Sequence, residues 1–249
     1  MVNAYKISSF NVQDDEFFAN LDRVEKICKL LLKEKISVEF ISSCRIDYIC
    51  RMDESFLKLI KKAGFITLEV GVESGSQRIL DIIQKDIKVE QVEEAVKRLK
   101  KAGIGGKYFF MAGFPQETEK DMWLTVDLMR RIKKINPYSR VPSWRIFTPY
   151  PGCDLYYSAI NYGWKPPKNL EEWAYYNFES VKTPWIDERK ERIIKNVAYM
   201  VKFLGLQDKP LSLSRRVFGK WIDFKWRNHL FYSFPEKYLI EWVKNKRLH

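Results

Sequence analysis

The sequence predicts an α/β fold built on parallel strands, and three observations carry that prediction. Strand-like and helix-like stretches alternate five times between Tyr5 and Phe147. The intervening helical stretches are long enough to cross back over a sheet, which makes parallel pairing the natural outcome. An internal echo, "KKAGFITLEVGVESGS" against "KKAGIGGKYFFMAGFPQET", repeats a basic helix end, a terminating Gly and an apolar strand. Repetition of one unit suits a closed or partial barrel better than a doubly wound sheet that reverses direction.

Each element has its own local signal. "YKISSFNV" reads as a strand, and in the helix that follows Leu21, Val24, Ile27, Cys28 and Leu31 share one face. Ile36, Val38 and Phe40 alternate along "ISVEFISS", and Phe56, Leu57, Ile60 and Ala63 form a helical stripe closed by Gly64. "FITLEVGVE" is a strand, "SGSQRILDIIQKD" a helix, and "VEQVEEAVKRLKKAG" a second helical segment closed by Gly103. "GKYFFMAGF" is the next strand, the helix of "TEKDMWLTVDLMRRIKKI" stops at Asn136 and Pro137, and "SWRIF" is the last strand.

With 249 residues, 46% of them hydrophobic, the chain can bury one sizeable core. No apolar run approaches the roughly 18 residues that a membrane span needs, and the start lacks a signal-peptide pattern, so the expected location is the cytoplasm. Cys28, Cys44, Cys50 and Cys153 are too scattered for a disulfide framework and form no CxxC pair. The net charge of +12 raises anionic partners as a question, and half of the excess falls between Gly205 and His249.

In a parallel α/β fold the strand ends that feed the helices share one edge, where ligands bind. That edge gathers Asp14 and Asp15, Arg45 and Asp47, Glu73 to Ser76, Gly113 to Thr118, and Thr148 to Cys153. Ser74 and Gln77 have capping-box spacing, with Gly75 relaxing the turn. Glu73 directly follows the apolar Leu68, Val70 and Val72 run, where a charge without a partner is costly, so it also fits a ligand that offers hydroxyl or ammonium donors. Thr118 and Asp121 match a helix cap, while Gly113 leaves room for a flat ligand against the backbone. Asp14 or Asp15 could cap the first helix, and Arg45 could pair with one of them or hold a ligand carboxylate.

Together "FNVQDDEFFANLDRVEKIC", "SSCRID", "LKLIKKAGFITLEVGVESGSQRIL", "KRLKKAGI", "FFMAGFPQET" and "FTPYPGCDLY" resemble, in order and spacing, the radical S-adenosylmethionine superfamily. The branch is the one often joined to a cobalamin-binding domain. The resemblance implies a partial TIM-type barrel of parallel strands, about five of six βα units, over residues 1–157, with a basic, aromatic helical extension over 158–249. It implies S-adenosylmethionine at the strand ends, with Glu73 and Ser74 by its ribose or methionine part and Gly113, Phe114 and Pro115 on its adenine side. Arg45 would look toward the carboxylate or the substrate, Asp14 and Asp15 toward the substrate mouth, and Lys85 falls where the family commonly has a base.

The family's C-x3-C-x2-C loop, which holds a [4Fe-4S] cluster by three thiolates, has no counterpart here. The resemblance therefore implies a chain that starts after the cluster loop and any cobalamin domain, completed by a preceding segment or a partner subunit. On this reading it serves radical chemistry, with methyl transfer where cobalamin joins, on a small-molecule or lipidic substrate beyond reach of the sequence. The rival is a non-catalytic S-adenosylmethionine or nucleotide-binding module. Nucleic-acid binding rests on the tail alone, whose aromatic and basic residues also suit packing on the barrel or an interfacial lipid contact.

Overall fold

The computed structural model describes residues 5–174, 182–204, 213–233 and 235. Five strands form one parallel sheet in the order β1 (Ser9–Val12), β2 (Glu39–Ser43), β3 (Phe65–Glu73), β4 (Gly105–Ala112) and β5 (Trp144–Ile146). Every strand lies beside its neighbour in sequence, as in the wall of a barrel, so the order does not reverse as it does in a doubly wound sheet.

The crossovers are α1 (Leu21–Lys33), the short α2 (Ile46–Arg51) with α3 (Glu54–Lys62), α4 (Gln77–Ile82) with α5 (Val89–Ala102), and α6 (Glu119–Ile135). The sequence periodicity did not single out α2, whose six residues are too few to show a repeat. Local chemistry sets the other boundaries. Asp53 caps α3 by accepting the Phe56 N–H at 2.7 Å. Gly103 ends α5 in the left-handed conformation, and α6 stops at Asn136 as expected. Asn20, rather than Asp14 or Asp15, caps α1: it accepts the Arg23 N–H at 2.9 Å, and the two aspartates lie a full turn too early.

Strand alternation decides what each face of the sheet does. Leu68, Val70, Val72, Tyr108, Phe110, Ala112 and Trp144 are buried in the main core. The intervening Glu69, Gly71, Glu73, Lys107, Phe109, Met111 and Arg145 remain at least partly open. Beyond β5 come α7 (Asp154–Asn161), α8 (Leu170–Ala174), α9 (Glu188–Met200) and α10 (Leu213–Arg227). Ile193, Ile194, Val197, Ile222 and Trp226 from the last two join the same buried core. Among the described residues no helix is long and apolar enough to cross a membrane.

Candidate cofactor site at the strand ends

The site begins with an irregularity in β3. The register with β4 shifts between Gly71 and Glu73, and Glu73 has a φ of 68°, a conformation uncommon for a residue with a side chain. Such a backbone persists only where its surroundings enforce it. Here it carries the Glu73 carboxylate to Lys85, whose Nζ donates to Oε1 at 3.0 Å. Both side chains, about a fifth exposed (17% for Glu73 and 26% for Lys85), line a cavity of about 580 Å³. Its wall is largely apolar, with Phe109, Phe110, Phe114 and Phe147 beside Met111, Ile146 and Leu155, and with Arg145 and Tyr150 among its polar groups. Phe114 and Phe147 pack at 5.1 Å between ring centroids, over Ile79.

The cavity does not collect every residue expected of it. Arg45 approaches from behind: its Nη2 reaches the carbonyl of Lys85 at 3.5 Å, while its Nε donates to Asp47 at 2.8 Å. Its carboxylate partner is thus Asp47, two residues along the same loop, and not Asp14 or Asp15. Asp14 accepts the Glu16 N–H and meets Arg23 at 3.4 Å; Asp15 is exposed, and neither lines the cavity. Ser74 is fully buried, and its hydroxyl sits 3.1 Å from Thr125 Oγ1 on α6 while accepting the Ser76 N–H at 3.1 Å. The expected Ser74–Gln77 capping box does not form, because Gln77 instead bridges Asp81, the Ile87 carbonyl and the Val89 N–H. Gly113 is buried too: its N–H donates to Glu117, its carbonyl accepts from Trp185 Nε1 at 2.8 Å, and Ile186 covers the place of a side chain. Pro115 is buried beside it, so of this trio Phe114 alone lines the cavity.

Behind the cavity two buried acids fix the loops. Thr118 and Asp121 form the expected capping box of α6, and Asp121 also accepts from Ser76 Oγ at 2.6 Å and from Arg78. Burial alone would raise the Asp121 pKa, but the hydrogen bonds from Arg78, Ser76 and Thr118 outweigh it and hold the carboxyl well below the usual range. Glu117 is the opposite case, and the periodicity gave no sign of it. Burial pushes its carboxyl up to about 8, against the Gly113 N–H that favours the charge, and its Oε1 has no partner among the described residues. The folded chain then holds this proton between about 4.5 and 8 while the unfolded chain releases it, so stability falls as pH rises through that window. Urea titrations at intervals across it are expected to show that decline in the wild type and a flatter profile in Glu117→Gln. Parallel profiles would show that Glu117 is already ionised.

The residues present fit a nucleoside cofactor better than they fit iron. A carboxylate facing an ammonium suits hydroxyl and carboxylate groups, and the phenylalanines of the wall suit a base. The thiols are dispersed and mostly buried. Burial drives Cys28 up to about 11 and raises Cys44 and Cys50 as well, which keeps them protonated, and Cys153 stands exposed at the start of α7. Among the described residues no three His, Cys, Asp or Glu side chains group to hold a metal.

A sheet of neighbouring βα units with a ligand cavity at its strand ends defines a protein of the TIM-type barrel class, here with part of the barrel wall. The chain belongs to the radical SAM superfamily, whose family model matches residues 1–129. It is 32% identical over 156 residues to an uncharacterized methyltransferase of Pyrococcus horikoshii, covering 63% of this chain and 32% of that one. It is 30% identical to the anaerobic magnesium-protoporphyrin IX monomethyl ester cyclase of Rubrivivax gelatinosus, covering 63% and 27%. The chain thus spans under a third of these curated relatives. Among solved structures, the cobalamin-dependent S-adenosylmethionine radical enzyme OxsB with aqua-cobalamin bound superimposes with a TM-score of 0.60 at 14% identity, over 91% of this chain and 40% of that one. That likeness supports the partial-barrel fold expected from the sequence. Members of the superfamily bind S-adenosylmethionine and a [4Fe-4S] cluster; the described thiols do not form a site for the cluster.

Proposed function

We propose that the cavity at the ends of β3, β4 and β5 holds S-adenosylmethionine, and that this cytoplasmic chain orients it within a radical enzyme acting on a small-molecule or lipidic substrate, with methyl transfer as the favoured outcome. In this reading residues 1–157 are the barrel body, 158–249 an extension, and the cluster ligands come from a further segment or a partner subunit. One observation carries the reading: Glu73 adopts a strained backbone at a strand end and presents its carboxylate, paired with Lys85, to a largely apolar cavity. Bound S-adenosylmethionine would supply an activated methyl group and a carbon–sulfur bond open to one-electron cleavage.

The chain's own residues bind, orient and exclude water. Glu73 accepts from the ribose hydroxyls, Lys85 faces the methionine carboxylate, and Phe114 and Phe147 flank the adenine. Arg45 steadies Lys85 through its carbonyl, while Ser74, Gly113 and Pro115 support the loops from behind. Asp14 and Asp15 lie toward the substrate side. The dispersed thiols favour, as the second reading, a module that binds the cofactor without turning it over. Calorimetric titration with S-adenosylmethionine tests both. Glu73→Gln is expected to weaken binding by about 10-fold or more, since hydrogen bonds to a charged acceptor are being lost, with an unchanged circular dichroism spectrum. Equal affinity would remove Glu73 from the site. A chain that binds tightly yet cleaves no cofactor when iron, sulfide, reductant and the candidate partner are all supplied would favour the second reading.

A further inference from the structure

The helix α10 carries apolar residues on two sides. One side is committed to the protein: Ile222 and Trp226 are fully buried, Phe218 packs on the core, and Asp223 is tied to Arg130 of α6 at 2.7 Å. These anchors fix the helix's rotation. The other side presents Leu213, Val217 and Phe224, which recur at i, i+4 and i+11 and so share one face. They are 76%, 58% and 49% exposed. The exposed Arg216 and Lys220 stand along one border of this stripe, while Arg227 on the same side is paired with Asp223 at 2.7 Å and Lys225 is buried.

We infer that this outward face of α10 docks the protein on an anionic lipid bilayer, its apolar stripe entering the headgroup boundary while Arg216 and Lys220 meet lipid phosphates. Charge complementarity selects this occupant. A row of cations beside an apolar stripe matches an anionic interface, where both kinds of group find partners at once. Single-stranded nucleic acid fits less well, because Leu213 and Val217 offer no ring face to a base. A second copy fits less well too, because a twofold antiparallel pairing of α10 would set the Arg216 and Lys220 border of one copy against the same basic border of the other. The inference does not rest on cofactor binding at the strand ends, and either can fail without the other.

Vesicle flotation with the full chain tests it. The protein is expected to float with phosphatidylcholine vesicles containing phosphatidylglycerol and to remain unbound with phosphatidylcholine alone. Val217→Gln combined with Phe224→Gln is expected to lower the affinity about 10-fold, since two half-exposed apolar side chains lose their burial, and Arg216→Glu with Lys220→Glu to lower it at least as much. Unchanged circular dichroism confirms that these exposed positions are not needed for folding. The inference is overturned if the wild type ignores phosphatidylglycerol vesicles or if the Val217 and Phe224 pair leaves flotation unchanged. It is equally overturned if the same pair instead abolishes oligonucleotide binding or a concentration-dependent dimer.

Discussion

Gly75→Ala is expected to destabilise the protein by about 3 kcal/mol or more, the largest loss of any single methyl addition along the cofactor edge. Gly75 crosses directly over α6. A Cβ placed there would lie 2.3 Å from the Leu124 carbonyl oxygen and 2.6 Å from the Thr125 Cα, both backbone atoms of a packed helix that cannot swing aside. The contact is held by the Gly75 N–H, which donates to Thr125 Oγ1 at 2.9 Å, so relieving the clash also breaks that bond. For a chain of this size the loss corresponds to a fall in melting temperature of roughly 6–12 °C. Ser74→Ala, which removes a hydroxyl without adding bulk, is expected to cost only about 1 kcal/mol. If thermal unfolding finds the two substitutions equivalent, the loop does not press on α6 as described.

Gly71→Val is expected to leave the fold standing and to remove cofactor binding. Gly71 lies in mid-strand on the open face of β3, opposite Phe109, where a β-branched residue suits the backbone. Its Cβ would meet Glu73 Oε1 at 2.5 Å and Lys85 Nζ at 3.0 Å, the two polar groups of the cavity. These are ends of flexible side chains, so the strain is relieved by pushing both out of position rather than by unfolding the strand. Losing two charge-assisted contacts corresponds to a fall in affinity on the order of 100-fold, with stability changed by less than about 1 kcal/mol. A calorimetric titration beside a denaturant curve separates the two quantities. Retained affinity would place the ligand elsewhere.

These two glycines mark how far the sequence could be read. Gly75 looks like a turn residue in "ESGSQ", yet it is the nearness of α6, some fifty residues later, that requires it. The order of elements was legible because it is written in local periodicity: Leu68, Val70 and Val72 alternate, Gly103 closes α5, and Thr118 with Asp121 caps α6. Glu73 stood out for the same local reason, as a charge at the end of an apolar strand. Its partner Lys85 follows twelve residues later, on the return from α4, where only the resemblance drew attention to it. Arg145 and Phe147 were legible only as part of the last strand and Glu117 only as one residue of the Gly113 to Thr118 edge, since their roles depend on strands and loops meeting in space. The partners of Ser74, Arg45 and Gln77 differ from those expected because short polar side chains choose among several nearby groups, and packing makes the choice.

The most direct measurement of the central claim is a crystal structure of the chain grown with S-adenosylmethionine. The expected density shows the ribose at the Glu73 carboxylate, the methionine carboxylate facing Lys85, and the adenine beside Phe114 and Phe147. A nucleoside bound at any other surface, with Glu73 and Lys85 still paired across a cavity filled by water, would contradict it.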